Sequence, residues 1–406
     1  MKKIAVAITL LALCGLIWVG RARWRTATLD SLRAKTRAAV AAGRWAEAAA
    51  PAQRLTELSP DDGEAWLLRA RVARQQGDLE ASADALRHVG PDGPHARTAR
   101  VALVELQFGP LNLPRQGAAT CRELLRADPR MELPHQRLIF FYALSLQRES
   151  LVHQARQAID LECEPLEAYV YLFFTDFLHF SNGVELNRRW LAADPTSELF
   201  TVARAVHLAT DLEGGVPRDD VEVVRAIRRM ASDRQQILGE LLEKYPRNLE
   251  LLAWHLEQGV ERGDLDRVEQ LLAGGPGEMD RDHRFWRVAG WAHLQRNARD
   301  QAEAAFQRAL RLHPLDWGTR HLQAELRRLE RRFDEVERLR RLVERAHELR
   351  RALESLPNVR SADGALLCRL ADYAADCGDE QFAQGLRRRL TTKPQEDAGT
   401  SSGGER

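Results

Sequence analysis

A stretch of 34 residues, His283 to Asp316, recurs in outline along this chain, and that self-similarity constrains the fold more than any other feature. Within it Trp286, Ala289, Gly290, His293, Asn297, Ala302, Phe306, Ala309 and Pro314 mark two helical segments around a turn. In the same register Gly63 to Ala96 supplies Trp66, Ala70, Gly77, Asp78, Leu86 and Pro94. Leu29 to Asp62 supplies Leu32, Gly43, Trp45, Ala48, Leu55 and Pro60, and Gly364 to Glu396 supplies Leu370, Ala371, Gly378, Phe382 and Ala383. Each position has a physical use. Small residues let two antiparallel helices approach, an aromatic ring fills the gap to the next pair, and proline ends the second helix. A unit this short cannot bury its apolar face alone, so copies must stack.

This pattern resembles the tetratricopeptide repeat (TPR), with a bulky residue at position 4, small ones at 8, 20 and 27, an aromatic at 24 and Pro at 32. The resemblance implies an all-α fold, a right-handed superhelix built as an α-solenoid of antiparallel helical hairpins. Between the clear copies the pattern weakens. Pro129, Pro195 and Pro246 close further units, and Leu249 to Asp282 begins with Trp254 and turns at Gly263 and Asp264. That gives about nine or ten hairpins. Gly214, Gly215, Val216 and Pro217 interrupt the helical run, which predicts a boundary between an N-terminal half, residues 26–215, and a C-terminal half, residues 216–390. From Leu322 to Leu353 near-heptad apolar spacing would suit one long coiled-coil helix, but Arg331 to Asp334 stands where a repeat turn belongs, which predicts a hairpin. Residues 391–406 are Gly, Ser and charge, a composition expected to be disordered.

Composition narrows the function. Lys and Arg number 60 against 59 Asp and Glu, so no net field draws the chain to nucleic acid, and a helical-repeat RNA binder, which needs a sustained basic groove, is disfavoured. The hydrophobic share of 44% is too high for a disordered chain. Five cysteines without a CxxC pair make neither a disulfide framework nor a zinc ribbon. No GxxxxGK[ST], HExxH or GxSxG is present, so nothing points to catalysis, to a cofactor, to a metal or to a small-molecule substrate. The histidine pairs His283 and His293, and His313 and His321, are too far apart along the chain to share one helix face as ligands.

The N-terminus carries a separate signal. Ile4 to Gly20 contains no charge over seventeen positions, about 26 Å of helix and so a minimal span for a hydrocarbon core of about 30 Å. A cleaved signal peptide is the rival reading, but the run ends in Ile17, Trp18 and Val19 rather than in small residues. Residues 1–25 therefore read as one uncleaved transmembrane anchor. Arg21, Arg23, Arg25, Arg33, Lys35 and Arg37 follow the span and two lysines precede it, which by the positive-inside rule favours a single-pass protein of a bacterial inner membrane with a cytoplasmic body. A short anchor, arginines and a TPR body together resemble the inner-membrane regulators of lipopolysaccharide assembly. Those carry a C-terminal rubredoxin-like module with CxxC pairs, which this chain lacks, so only the architecture carries over.

The TPR resemblance further implies that first helices of the hairpins line a concave groove for peptides or partner helices. In that register the hairpin beginning near Leu166 puts Val170, Tyr171, Phe174, Phe177 and Leu178 on the groove, with Tyr169, Leu172, Phe173 and Phe180 facing the core. The preceding helix adds Phe140 and Leu144, and Trp254 and Trp291 lie further along. The expected function is a membrane-tethered scaffold that holds an unidentified protein partner there. An exported TPR subunit of an envelope assembly or secretion machine is the alternative. A tightly curled array, whose own neighbours cover those rings, is the structural alternative to an open groove.

Overall fold

The computed structural model describes residues 2–178, 180, 182–210 and 221–392. Among them all regular secondary structure is helical. The chain divides into two compact units, Met1–Ala127 and Asp128–Arg406. The first contains α1 (Lys2–Ala41), α2 (Trp45–Leu58), α3 (Gly63–Gln75), α4 (Leu79–Arg87), α5 (Ala96–Phe108) and α6 (Pro114–Ala127). The second contains α7 (Glu132–Leu144), α8 (Arg148–Asp160), α9 (Leu166–Phe173), α10 (Gly183–Ala193), α11 (Glu198–Thr210), α12 (Val221–Lys244), α13 (Leu249–Arg262), α14 (Leu265–Gly274), α15 (His283–Gln295), α16 (Arg299–Leu312), α17 (Trp317–Leu329), α18 (Phe333–Glu354), α19 (Gly364–Asp376) and α20 (Glu380–Thr392). The boundary expected after residue 215 lies in residues 211–220, outside the described residues, as does the tail beyond 392.

The repeat is written into the backbone more regularly than into the side chains. Positive φ recurs at Gly43, Gly77, Asn112 and Leu146, at spacings of 34, 35 and 34 residues, and again at Gly263, Asn297 and Arg331, at spacings of 34 and 34. Each of these residues sits in the turn that closes a hairpin, where one left-handed residue reverses the chain after the first helix. Glycine takes that conformation without penalty, while asparagine, leucine and arginine bear a steric cost that the packed hairpin must hold. The next such turn, Gly378, comes 47 residues after Arg331, because α18 is lengthened to 22 residues and a 3-10 turn, Val359–Ser361, precedes α19. Leu322 to Leu353 is accordingly a hairpin, broken at Arg331, and not one long helix.

Acidic and amide caps start the helices. The Asp62 carboxylate accepts from the backbone N–H groups of Glu64 and Ala65, Asp78 from that of Ala81, Asn248 from those of Glu250 and Leu251, and Asp316 from that of Thr319. Each satisfies donors that a first turn leaves unpaired. Inside the hairpin α15/α16 the small residue is required: a Cβ on Gly290 would lie 2.4 Å from the ring of Phe306. Phe306 is fully buried there with Ala302, Leu294 and Leu326, so the ring fills the space the glycine opens in its own hairpin and also meets α17, in the next hairpin, to which the sequence pattern assigned it.

The second unit closes on itself. Arg156 of α8 pairs with Asp379 at the start of α20, and Gln381 donates to the Arg156 carbonyl at 3.2 Å and to Asp160 at 2.5 Å. Further along, Arg388 donates to the Ile159 carbonyl and Arg389 to that of Glu164. Tyr169 meets Phe382 edge-on at 5.0 Å, and Phe173 packs on Trp317 and Tyr373. Helices far apart along the chain therefore share one core.

The backbone of the expected anchor, residues 4–20, lies in α1, but its side chains, Trp18 apart, fall outside the described residues. Among the described residues no helix is long and apolar enough to cross a membrane.

Candidate functional site

The residues expected to line a groove separate into three settings. Leu144, Val170, Leu178 and Trp291 are buried, the last in a core with Leu252, Leu256 and Phe285. Phe140, Tyr171, Phe174 and Trp254 are partly buried. Phe177 remains 43% exposed, stacked on Trp317 at 5.2 Å with the Arg350 guanidinium over its ring. The helical register assumed for this stretch ends early. α9 stops at Phe173, a 3-10 turn covers Thr175–Phe177, and Leu178 is extended. The Thr175 hydroxyl donates back to the Leu172 carbonyl at 2.8 Å, and the turn carries Asp176 inward. Tyr169, Leu172 and Phe173 face the core as expected, whereas Phe180 is only partly buried. Of the predicted set, Phe140 and Tyr171 are brought together in one pocket of about 380 Å³ between α7, α9 and the turn before α19.

Asp176 enters a buried ionic cluster. Its carboxylate meets His283 Nε2 and Arg287 Nη1, and Arg287 also reaches Asp316 Oδ1 at 3.0 Å and Glu257 Oε1 at 3.3 Å. Beside it Arg284 joins Asp282 and Glu250 at 2.6 and 2.7 Å, and Arg148 donates to Glu250 at 3.0 Å. Burial alone would raise the Asp176 pKa, but Arg287 and His283 hold it well below the usual carboxylate range. Burial alone would lower His283, and Asp176 outweighs it and raises the imidazole above its ordinary value. His313, with its ring centroid 4.5 Å from that of His283, has no such partner. Burial, together with the neighbouring imidazole, pushes it down to about 3, so it is neutral at physiological pH.

Asp176, His283 and Asp316 present ligand atoms within 4.8 Å of one another, a donor set that could suit a divalent ion. Arg287, however, sits on both carboxylates and already supplies the positive charge. The arrangement is a closed ionic cluster rather than an open coordination site. Reasoning along single helices missed it, because His283 opens α15 and His313 follows the end of α16, so the two meet only when that hairpin closes, and Asp176 reaches them from the turn after α9. The signal available was Asp176 itself, an acid standing alone in the aromatic run Phe173, Phe174, Thr175, Asp176, Phe177.

A larger cavity, about 790 Å³, opens between the α7–α8 turn, α11 and α15. Leu146, Val152, Leu199 and Val202 give it apolar walls, and Arg148, Glu250, Asp282 and His283 bring the edge of the ionic cluster to it. Its charges are paired, Arg148 with Glu250 among them, although Arg148 Nη1 is buried without a hydrogen-bond partner.

Residues 34–94 and 265–335 match the family model of the tetratricopeptide repeat. Those two segments carry tetratricopeptide repeats. Both matched segments coincide with stretches where the TPR turn recurs at 34-residue spacing. Among solved structures, a TPR protein from Parabacteroides merdae is similar at 12% identity, over 64% of this chain and 96% of that one, with a TM-score of 0.28. PilF of Pseudomonas aeruginosa is similar at 18% identity, over 59% and 92%, with a TM-score of 0.29. Yeast Tom70 is similar at 13% identity, over 89% and 84%, with a TM-score of 0.26. No curated protein matches the chain.

Proposed function

We propose that this chain is a non-catalytic scaffold that binds other proteins through its TPR array and is tethered to a membrane by its N-terminal helix. The observation that carries the scaffold role is the 34-residue recurrence of hairpins and of their left-handed turns, an architecture that exposes long helix faces instead of building a reaction centre. Support for the tether lies in the uncharged run Ile4 to Gly20 and the arginines after it. Trp18 and Trp24 are 75% and 70% exposed on α1, as suits rings placed at a membrane–water interface. The balance of basic residues favours a body in the cytoplasm of a bacterium, and an exported body is the other reading.

The test is a pair of C-terminal reporter fusions, one active only in the cytoplasm and one only outside it, combined with alkaline extraction of membranes. The expected result is an extraction-resistant protein with the cytoplasmic reporter active. Activity of the external reporter would transfer the scaffold to the envelope side, and release into the soluble fraction would remove the tether.

A further inference from the structure

The pocket that unites Phe140 and Tyr171 contains a charge with nothing to balance it. Arg137, on α7, is half-buried and forms neither a hydrogen bond nor an ion pair among the described residues, and its Nε is sealed from solvent without an acceptor. The strongly buried guanidiniums of this unit have carboxylate or carbonyl partners, as Arg148, Arg284, Arg287 and Arg320 show. A guanidinium half withdrawn from water with no counter-charge favours an anion brought to its terminal nitrogens, which unlike Nε are not sealed. The neighbouring groups agree in kind. The Gln136 amide and the Tyr171 hydroxyl also line the pocket, and neither side chain has a hydrogen-bond partner among the described residues. Arg360 stands at the rim, 3.5 Å from Glu167. Counting Arg137, Arg360 and Glu167, the lining carries one net positive charge.

We propose that this pocket holds an acidic side chain of a partner protein, presented next to an apolar residue in an extended segment. Donors without acceptors select the carboxylate, and the rings of Phe140 and Tyr171 select the apolar neighbour. The volume, near the small end for ligand sites, fits side chains rather than a whole helix. The chain's own tail is the nearest rival, since Arg389 fixes the end of α20 against the Glu164 carbonyl, close to Glu167. That tail has Glu396, Asp397 and Glu405, but beyond residue 392 it contains no aromatic or large aliphatic residue to meet the rings. This inference rests on the scaffold reading and gives it a recognition chemistry.

The experiment uses the full chain in detergent and a library of acetylated, amidated hexapeptides. Each has a single Glu flanked by Leu, Ile, Phe, Met or Trp in a Gly/Ser background, and a matched library carries Gln. Anisotropy of the best fluorescent Glu peptide is expected to show binding that weakens roughly tenfold or more on Glu to Gln exchange and by a similar factor in Arg137→Gln. Arg137→Gln is expected to leave the melting temperature unchanged or raised, because it removes an unbalanced charge. Equal binding of the Glu and Gln peptides, or an Arg137→Gln protein that binds as well as the parent, would overturn the pocket while leaving the scaffold intact. Failure of the full chain to bind any peptide of either library would overturn the pocket, while the reporter fusions and membrane extraction test the tethered body separately. Peptide binding roughly tenfold tighter in Glu396→Gln/Asp397→Asn would identify the tail as the occupant and overturn the assignment to a partner.

Discussion

Arg287→Met is expected to cost the second unit about 3–5 kcal/mol, read as a fall in the urea midpoint at unchanged slope. The guanidinium bonds the buried carboxylates of Asp176 and Asp316 together, and methionine of similar length would leave two like charges facing one another out of water. Part of the loss should return in Arg287→Met/Asp176→Asn/Asp316→Asn. The amides keep the shape, and the one introduced at position 316 would still cap the Thr319 N–H through its carbonyl oxygen, so only the charge is relieved. A triple variant as unstable as the single one would mean that Arg287 acts by filling space and not by balancing charge.

The second large effect concerns the closure of the same unit. Phe382→Ala is expected to destabilise it by about 3–5 kcal/mol, because the ring is fully buried against Tyr169 and its removal leaves a cavity between α9 and α20. Phe333→Ala, whose ring is largely exposed at the α17–α18 turn, is the control and should shift stability by less than about 0.5 kcal/mol. Thermal unfolding followed by circular dichroism checks both. Equal effects would show that α20 does not seat on α9 as described.

These two sites also mark where the sequence stopped being informative. Hairpins with full side-chain signatures were legible: the spacing of Gly290 and Phe306 placed a small residue and an aromatic in one unit, although it assigned the ring to the gap before the next hairpin and not to the glycine beside it. The turn at Arg331 was legible too, from polar residues at the right interval. Leu146 was not, although its backbone repeats the conformation of Gly77 and Asn112, because a leucine gives no sign that its φ is positive. Neither was the end of α9 at Phe173. Apolar residues continue past it, and what stops the helix is the attraction of Asp176 to His283 and Arg287, more than a hundred residues away. Contacts such as Arg156 with Asp379 depend on the summed rotation of every intervening repeat, a quantity spread over many side chains and carried by no single motif. For the candidate groove this had a direct consequence. The aromatic set was found, but which of its rings the C-terminal helices would cover, and that Phe140 and Tyr171 would flank an unpaired Arg137, followed only from the closed arrangement.

The central claim is that the second unit closes on itself and thereby leaves one small donor-rich pocket where an open groove would otherwise run. Its most direct test is a cross-link between α8 and α20, using Asp160→Cys and Gln381→Cys in a background with Cys163, Cys368 and Cys377 replaced by serine. The two side chains are hydrogen-bonded at 2.5 Å, so a short thiol-bridging reagent should join them within one chain, at high yield and at low protein concentration, with the bridged peptides identified by mass spectrometry. Two thiols that each react separately with the reagent, without a bridge, would describe an open array and contradict the account.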